Sequence, residues 1–355
     1  MALAFVAAIA ISGGVYAQEN DLFDKNEKMD KITASLRNNK EKFDKTLKAA
    51  EKGNPKSQVV LGFYYAEDPK NPKSKAETFK WFRKAAEQGE KLGQFGLAAC
   101  YIAGYGVEEN AEEGIKWFRK AAEQGEVGSQ LQLGIFYLYG GIVEKNGAEA
   151  YKWFKKAADQ KNPDGMFYVA LCHLDGIGVK KNPEESVKWF RASAELGNSN
   201  SQHQMGSFYV AGEYVKQDLA EAYKWFMKSA EQGNPSAFLS VGVCCLEGFG
   251  TKANFEEAKK WFQKIIDHGD PEMITMVGSV YMDNKKHAEA VDCFKRAVKL
   301  GDAEAMFLLS GCYFTGLGVE LNEAEGLKLV VAAAAKGHER AKKVLQEMQN
   351  LMNKK

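Results

Sequence analysis

The sequence lacks the features that indicate a membrane span, a nucleic-acid surface or a catalytic centre. Its 48 basic and 47 acidic residues nearly cancel, so no basic surface for nucleic acid is implied. No apolar run approaches the roughly 20 residues that cross a bilayer. The five histidines show no metal-ligand spacing, and the motifs of zinc proteases, serine hydrolases and P-loop proteins are absent. We therefore predict no enzyme activity, cofactor, metal site, membrane span or nucleic-acid partner.

The amino terminus has no basic residue ahead of its apolar run, yet it has the other features of a secretory signal. Residues 2–11 are apolar, and Val15-Tyr16-Ala17 fits a small-residue cleavage pattern. We expect residues 1–17 to be a signal peptide cleaved after Ala17 and the protein to be exported, either periplasmic or secreted. Residues 18–39 are charged and poorly patterned, which indicates a linker or a loose helix.

Tryptophan is scarce, but its placement is regular. Each of the six tryptophans is followed by phenylalanine, and consecutive pairs lie 36 residues apart. A fixed period of this length is typical of stacked supersecondary units that bury their apolar faces against one another. The tryptophans are Trp81, Trp117, Trp153, Trp189, Trp225 and Trp261.

Each repeat resolves into two helices joined by a glycine-containing loop. In residues 126–161, Leu133, Phe136 and Tyr137 follow helical spacing, and Trp153 and Phe154 lie on one face of a second helix. Asn-Pro pairs, such as those at 54–55 and 162–163, supply a helix cap and a first helical residue. The pattern predicts an all-α superhelical solenoid of about eight helix–turn–helix repeats over residues 53–337. We expect capping helices in residues 40–52 and 338–355.

The order L-G-x-x-Y, then G-x-G-V, then W-F-x-x-A-A resembles the Sel-1-like repeat, a relative of the tetratricopeptide repeat. Residues 97–101 (LAACY), 104–107 (GYGV) and 117–122 (WFRKAA) show the order in one stretch. The seventh repeat departs from it, because it lacks the G-x-G-V loop and has Cys293 in the tryptophan position. The resemblance implies a non-catalytic scaffold or adaptor for protein–protein interactions, exported in many bacterial relatives.

The resemblance also implies where a protein or peptide partner would bind. Tetratricopeptide solenoids bind ligands in a concave groove lined by the first helix of each repeat. Two alternatives remain at this point: a tight superhelix buries the lining, or the lining is an open apolar groove for a helix or extended peptide. The equivalent positions, which we call the predicted binding face, include Phe95, Ile102, Leu131, Ile135, Leu138, Phe167, Leu171, Leu174, His203 and Val210.

The six cysteines are expected to be buried thiols. Cys100, Cys172, Cys244 and Cys312 share one position in alternate repeats. Stacked helices lie about 8–10 Å apart, so alternate repeats are too distant for a disulfide. Cysteine-rich members of the resembled family place two cysteines within one repeat so that a disulfide joins its two helices, and that pattern is absent here, since Cys244 and Cys245 are adjacent in one helix.

Two other functions are weighed against the scaffold. Some cysteine-rich relatives are associated with β-lactam binding or hydrolysis, although no nucleophile, base and oxyanion arrangement is visible here. The other alternative is a binder of cell-wall glycan, for which Tyr105, Tyr139 and Tyr214 are the candidate aromatic contacts.

Overall fold

The computed structural model describes residues 27–68 and 73–352, and within these ranges all regular secondary structure is α-helical. The predicted signal peptide, residues 1–17, lies outside the described residues. The described part of the chain divides into two compact units, with the boundary between residues 205 and 206. The boundary falls within the helix Ser199–Ala211. None of the helices in the described ranges is long and apolar enough to cross a membrane.

Eight helix pairs follow one another along the chain, which confirms the predicted all-α repeat fold. We number the repeats 1 to 8 and call the first helix of each pair helix A and the second helix B. In order, the pairs are Pro55–Ala66 and Ser74–Glu87; Lys91–Ala103 and Ala111–Glu123; Val127–Tyr139 and Gly147–Asp159; Pro163–Asp175 and Pro183–Glu195; Ser199–Ala211 and Leu219–Glu231; Pro235–Glu247 and Phe255–His268; Pro271–Asp283 and His287–Lys299; Ala303–Thr315 and Glu323–Ala335.

Side-chain caps fix where the helices begin. The predicted cap Asn162 accepts a hydrogen bond from the Gly165 amide at 2.8 Å, ahead of helix A of repeat 4. Helix B is capped in the same way in repeats 2 to 6 and 8, as Asn146 shows by accepting from the Glu149 amide at 3.1 Å. Helix B of repeats 1 and 7 begins without a side-chain cap. Each cap satisfies an amide that has no partner within the helix, a contribution of about 1 kcal/mol. The repeat boundaries are therefore encoded locally.

The phenylalanine of each Trp-Phe pair fills the space between the two helices of its repeat. In repeat 3 the Phe154 ring lies against Gly134 of helix A, where an added Cβ would come within 2.4 Å of the ring. The same relation joins Gly206 to Phe226 and Gly242 to Phe262. Glycine in helix A therefore lets the ring lie directly on the helix backbone in these repeats, whereas repeats 2 and 4 have Ala98 and Ala170 at this position and also bury their phenylalanines, Phe118 and Phe190.

The second glycine of the G-x-G-V loop connects consecutive repeats. Gly178 has φ +67°, and a Cβ there would lie 1.9 Å from the Gly147 carbonyl oxygen of the preceding repeat. Gly250 and Leu219 repeat this arrangement in the carboxy-terminal unit. The glycine-rich loops are therefore backbone packing elements between repeats.

Repeat 7 has a shorter connection than its neighbours. Its helices end and begin at Asp283 and His287, which leaves three residues between them, where most repeats have seven. Tyr281 and Cys293 are nonetheless buried in the core of the carboxy-terminal unit. Loss of the G-x-G-V loop therefore shortens the turn and leaves the helix pair intact.

Helices outside the eight pairs flank the array. Lys40–Glu51 and Glu339–Met352 lie where capping helices are predicted. A further helix, Glu27–Arg37, occupies part of the segment expected to be a linker or loose helix. Its Leu36 is buried, and its Thr33 hydroxyl donates to Glu67 at 2.9 Å. Residues 27–37 are thus part of the packed structure.

Candidate functional site

The predicted binding face is closed in repeats 2 and 3. All five of its residues there have at most 7% of their surface exposed. Phe95, for example, packs edge-on against Phe118 at 5.7 Å between ring centroids and lies over Gly128 of the next helix A. These side chains belong to the core of the amino-terminal unit. The five are Phe95, Ile102, Leu131, Ile135 and Leu138.

The face opens in repeat 4. Phe167, Leu171 and Leu174 are half-buried along one side of helix A, Pro163–Asp175, and His203 of the next helix A is half-buried as well. We call these four residues the accessible strip. Phe167 is held by edge contacts with Tyr168 at 5.3 Å and Phe190 at 5.9 Å between centroids. The strip is thus a supported apolar surface that solvent reaches.

Polar groups border the strip at the start of these two helices. Asp164, which is buried, accepts a hydrogen bond from the Asn198 side chain at 2.8 Å. Burial lowers the pKa of His203 below its ordinary value, so the imidazole is neutral at physiological pH. The strip therefore presents an uncharged surface at neutral pH. Val210, the last residue of the predicted face, belongs to the carboxy-terminal unit and is 38% exposed.

A row of glutamines supports the helices that carry the face, and the sequence analysis missed it. Gln160 at the end of helix B donates to Gln130 of helix A at 2.8 Å. Gln130 in turn donates to the Ala122 carbonyl of the preceding repeat at 2.9 Å. Recurrence at 36-residue steps is the signal that could have revealed the row. Equivalent pairs are Gln88 with Gln58 and Gln124 with Gln94.

The cysteines are all free and buried, which confirms the predicted thiols. Burial raises the pKa of Cys172 and Cys293 to about 12 and that of Cys244 to about 11. A thiol in this range is protonated at neutral pH and is a poor nucleophile. The cysteines therefore act as small apolar core residues.

Other candidate residues are also placed by the structure. His173 is buried beside Tyr151, whose hydroxyl lies 3.4 Å from Nε2. Tyr105 is buried, whereas Tyr139 and Tyr214 are 53% and 48% exposed and belong to different compact units. Across residues 27–68 and 73–352, no three metal-binding side chains come together.

The paired helices and their 36-residue step define an α-helical repeat protein. Seven segments match the Sel1 repeat model, so the chain belongs to the Sel1 repeat family. Repeat 7 matches a tetratricopeptide repeat over residues 271–300, in keeping with its shorter loop. Proteins of this family are generally non-catalytic scaffolds for protein–protein interactions. The Sel1 matches cover residues 55–90, 91–126, 127–162, 163–198, 199–234, 237–270 and 303–338.

Solved structures with the same fold include two bacterial proteins. A protective antigen of uropathogenic Escherichia coli with an SLR fold is 35% identical, with a TM-score of 0.66, over 83% of this chain and 64% of the antigen. The chain thus spans less than two thirds of that protein. A Sel1 repeat protein from Oxalobacter formigenes is 26% identical, with a TM-score of 0.59, over 97% of this chain and 99% of that one. No curated protein matches the sequence.

Proposed function

We propose that this protein is an exported, non-catalytic scaffold that binds a protein or peptide through the accessible strip of Phe167, Leu171, Leu174 and His203. The observation that carries the proposal is the change in exposure along the predicted binding face. One position of helix A is occupied by Phe95, Leu131, Phe167 and His203 in repeats 2 to 5. The first two side chains are buried, and the last two are half-buried. Binding therefore concentrates where the face opens, in repeat 4 and the start of repeat 5.

The spacing of the strip indicates the form of the ligand. Phe167, Leu171 and Leu174 lie at i, i+4 and i+7 on one helix, a length of about 10 Å. That length matches two turns of an amphipathic helix with apolar residues at the same spacing. Burying one large apolar side chain contributes about 1.5–3 kcal/mol, so two or three anchors suffice for a specific but reversible complex.

Export is supported by two independent observations. The amino terminus has the apolar run and small-residue pattern of a secretory signal. The similar Escherichia coli protein is a protective antigen. Mass-spectrometric peptide mapping of the purified native protein tests this: we expect Gln18, free or cyclised to pyroglutamate, as the first residue, in a periplasmic or culture-medium fraction. Recovery from the cytosol with Met1 retained would contradict export.

Photo-crosslinking in the producing cells tests the strip directly. A benzophenone amino acid placed at Leu171 should form adducts with one defined partner, because this half-buried position lies within the strip. The matched control carries the same group at Leu196, which is 51% exposed and lies at the end of helix B of repeat 4. Identical adducts from both positions, or none from position 171, would refute binding at the strip.

A substitution pair adds an affinity measurement. Leu174→Lys places a charge in the strip at a half-buried position, whereas Leu196→Lys places it outside. We expect Leu174→Lys to weaken capture of the crosslinked partner at least tenfold and Leu196→Lys to leave it unchanged. Both variants should keep the helical circular dichroism of the parent. Unchanged capture by folded Leu174→Lys would rule out the strip as the binding surface.

A further inference from the structure

Helix B of repeat 8 presents an apolar stripe to solvent. Ala324, Leu327, Val331 and Ala335 recur at i, i+3, i+7 and i+11 on the helix Glu323–Ala335, and all four are exposed. The exposed fractions of Leu327 and Val331 are 39% and 49%. We call these four residues the end stripe. Large apolar side chains grouped on one helix face are a common mark of an interaction surface.

Earlier repeats show what normally covers the position of Leu327. Phe79 packs edge-on against Tyr101 of the next helix A, 22 residues further on, at 5.6 Å between centroids. Tyr151 makes the same contact with His173, also 22 residues on. The residue 22 positions after Leu327 is Gln349, which is exposed. The aromatic cover of this position is therefore absent from the helix Glu339–Met352.

The position of Val331 has changed in a related way. Its counterpart Arg119 in repeat 2 donates to the Tyr137 hydroxyl of the next helix A at 2.7 Å. Repeats 1 and 4 also have arginine there, at Arg83 and Arg191. Repeat 8 instead has valine beside the uncovered Leu327. The position is charged in five of the other seven repeats, with Met227 and Gln263 as the exceptions, and in repeat 8 it is apolar at the same helix face that has lost its cover.

The sequence of this helix is complementary to itself in an antiparallel arrangement. If residues whose numbers sum to 659 oppose each other, Ala324 lies against Ala335 at both ends. Leu327 then lies against Ala332 and Val331 against Lys328, so Leu327 of one copy is one residue from the level of Val331 of the other. The small alanines allow two helix axes to approach to about 8 Å. The same register places Glu323 of one copy against Lys336 of the other, twice, and both residues are exposed. The register therefore brings the apolar residues of the stripe together and pairs Glu323 with Lys336, while Lys328, level with Val331, keeps its partner Glu325 in the same helix at 3.0 Å.

We propose that the end stripe is a homodimer interface, in which helix B of repeat 8 packs antiparallel against the same helix of a second copy. A self-complementary patch of this kind forms a closed, two-fold contact. The stripe is separate in sequence from the accessible strip, so the proposal is independent of partner binding there. One helix face gives an interface below the roughly 1,200–2,000 Å² of stable complexes, so we expect a dissociation constant of about 1–100 μM.

Sedimentation equilibrium of the protein purified from its complete coding sequence tests the dimer. The parent should show reversible monomer–dimer exchange in the micromolar range. Val331→Arg, which restores the residue of repeats 1, 2 and 4, should weaken association at least tenfold without loss of helix content. Leu300→Arg is the control, because Leu300 is 52% exposed but lies outside the stripe. A monomer at 200 μM, or a dimer unaffected by Val331→Arg, would overturn the proposal.

Charge exchange tests the register. Glu323→Lys and Lys336→Glu should each weaken the dimer several-fold, because each places like charges together twice. The double variant restores opposite charges and should recover the affinity of the parent at low salt. Failure of the double variant to recover while it remains folded would exclude this antiparallel register.

Discussion

The ring of Phe154 lies on the backbone of Gly134, so close that a single methyl group on that glycine would come within 2.4 Å of ring atom Cε1. The contact joins the two helices of repeat 3, and Phe154 is fully buried in it. The ring is enclosed, so an added methyl group on Gly134 requires the ring or one of the two helices to shift. This pair therefore sets the separation of helices A and B.

Gly134→Ala should destabilise the protein by about 1–3 kcal/mol through overpacking. Gly311 provides a matched control, since it also lies within a helix A but has no atom within 4 Å of an added Cβ. Gly311→Ala should be neutral or stabilising by up to about 1 kcal/mol, because alanine favours the helix. Urea unfolding followed by circular dichroism gives both values. Equal effects from the two substitutions would contradict the packing argument.

The spacing of the Trp-Phe pairs was sufficient to predict the fold, because 36-residue periodicity and local caps act within each repeat. The accessibility of the predicted face was not predictable in this way. Phe95 and Phe167 are the same residue at the same repeat position, yet one is buried and the other half-buried. Their exposure depends on side chains of the adjacent repeats in three dimensions, and periodicity does not encode that.

The sequence left open whether residues 18–39 form a linker or a loose helix, and the structure has the helix Glu27–Arg37 there. Its only strong helical signal is a small apolar set that includes Ile32 and Leu36, within an otherwise charged segment. What secures it is long-range: Thr33 and Arg37 both donate to Glu67, more than 25 residues away. Met29, Ile32 and Leu36 lie at i, i+3 and i+7, but three apolar residues in a charged segment do not distinguish a packed helix from a loose one, because most helix stability comes from tertiary packing.

Phe95→Ala and Phe167→Ala should separate stability from binding. Phe95→Ala should cost about 3–5 kcal/mol, since it leaves a cavity in the core of the amino-terminal unit. Phe167→Ala should cost roughly half as much, because its side chain is already partly exposed to water. Denaturation midpoints measure stability, and capture of the crosslinked partner measures binding. Only Phe167→Ala should weaken binding under conditions in which both variants are folded.

The thiols should be unreactive in the folded protein. Burial raises the pKa of Cys172 to about 12 and that of Cys244 to about 11, so at pH 8 almost no thiolate is present to react. Ellman's reagent should label none of the six cysteines within minutes in buffer and all six in 8 M urea without reductant. Rapid labelling of a folded thiol, or fewer than six thiols after unfolding, would contradict the buried, unpaired state.

His203 should make the folded protein less stable in mild acid. Burial lowers its pKa in the folded state, whereas in the unfolded chain the pKa is about 6.5. The unfolded state therefore binds the proton first as the pH falls. Above about pH 6.5, His203 is neutral in both states and does not lower the free energy of unfolding. As the pH falls from about 6.5 through the folded-state pKa of His203, the free energy of unfolding decreases.

His203→Leu isolates this contribution from those of other titrating groups. Leucine occupies the same repeat position at Leu131 and Leu239, so the helix and its packing should tolerate the substitution. Urea midpoints measured at pH 8 and pH 5 should fall more for the parent than for the variant. Since the remaining acidic and basic residues are common to both proteins, the difference between the two decreases reports His203 alone. An equal decrease in both proteins would show that His203 titrates alike in the folded and unfolded states.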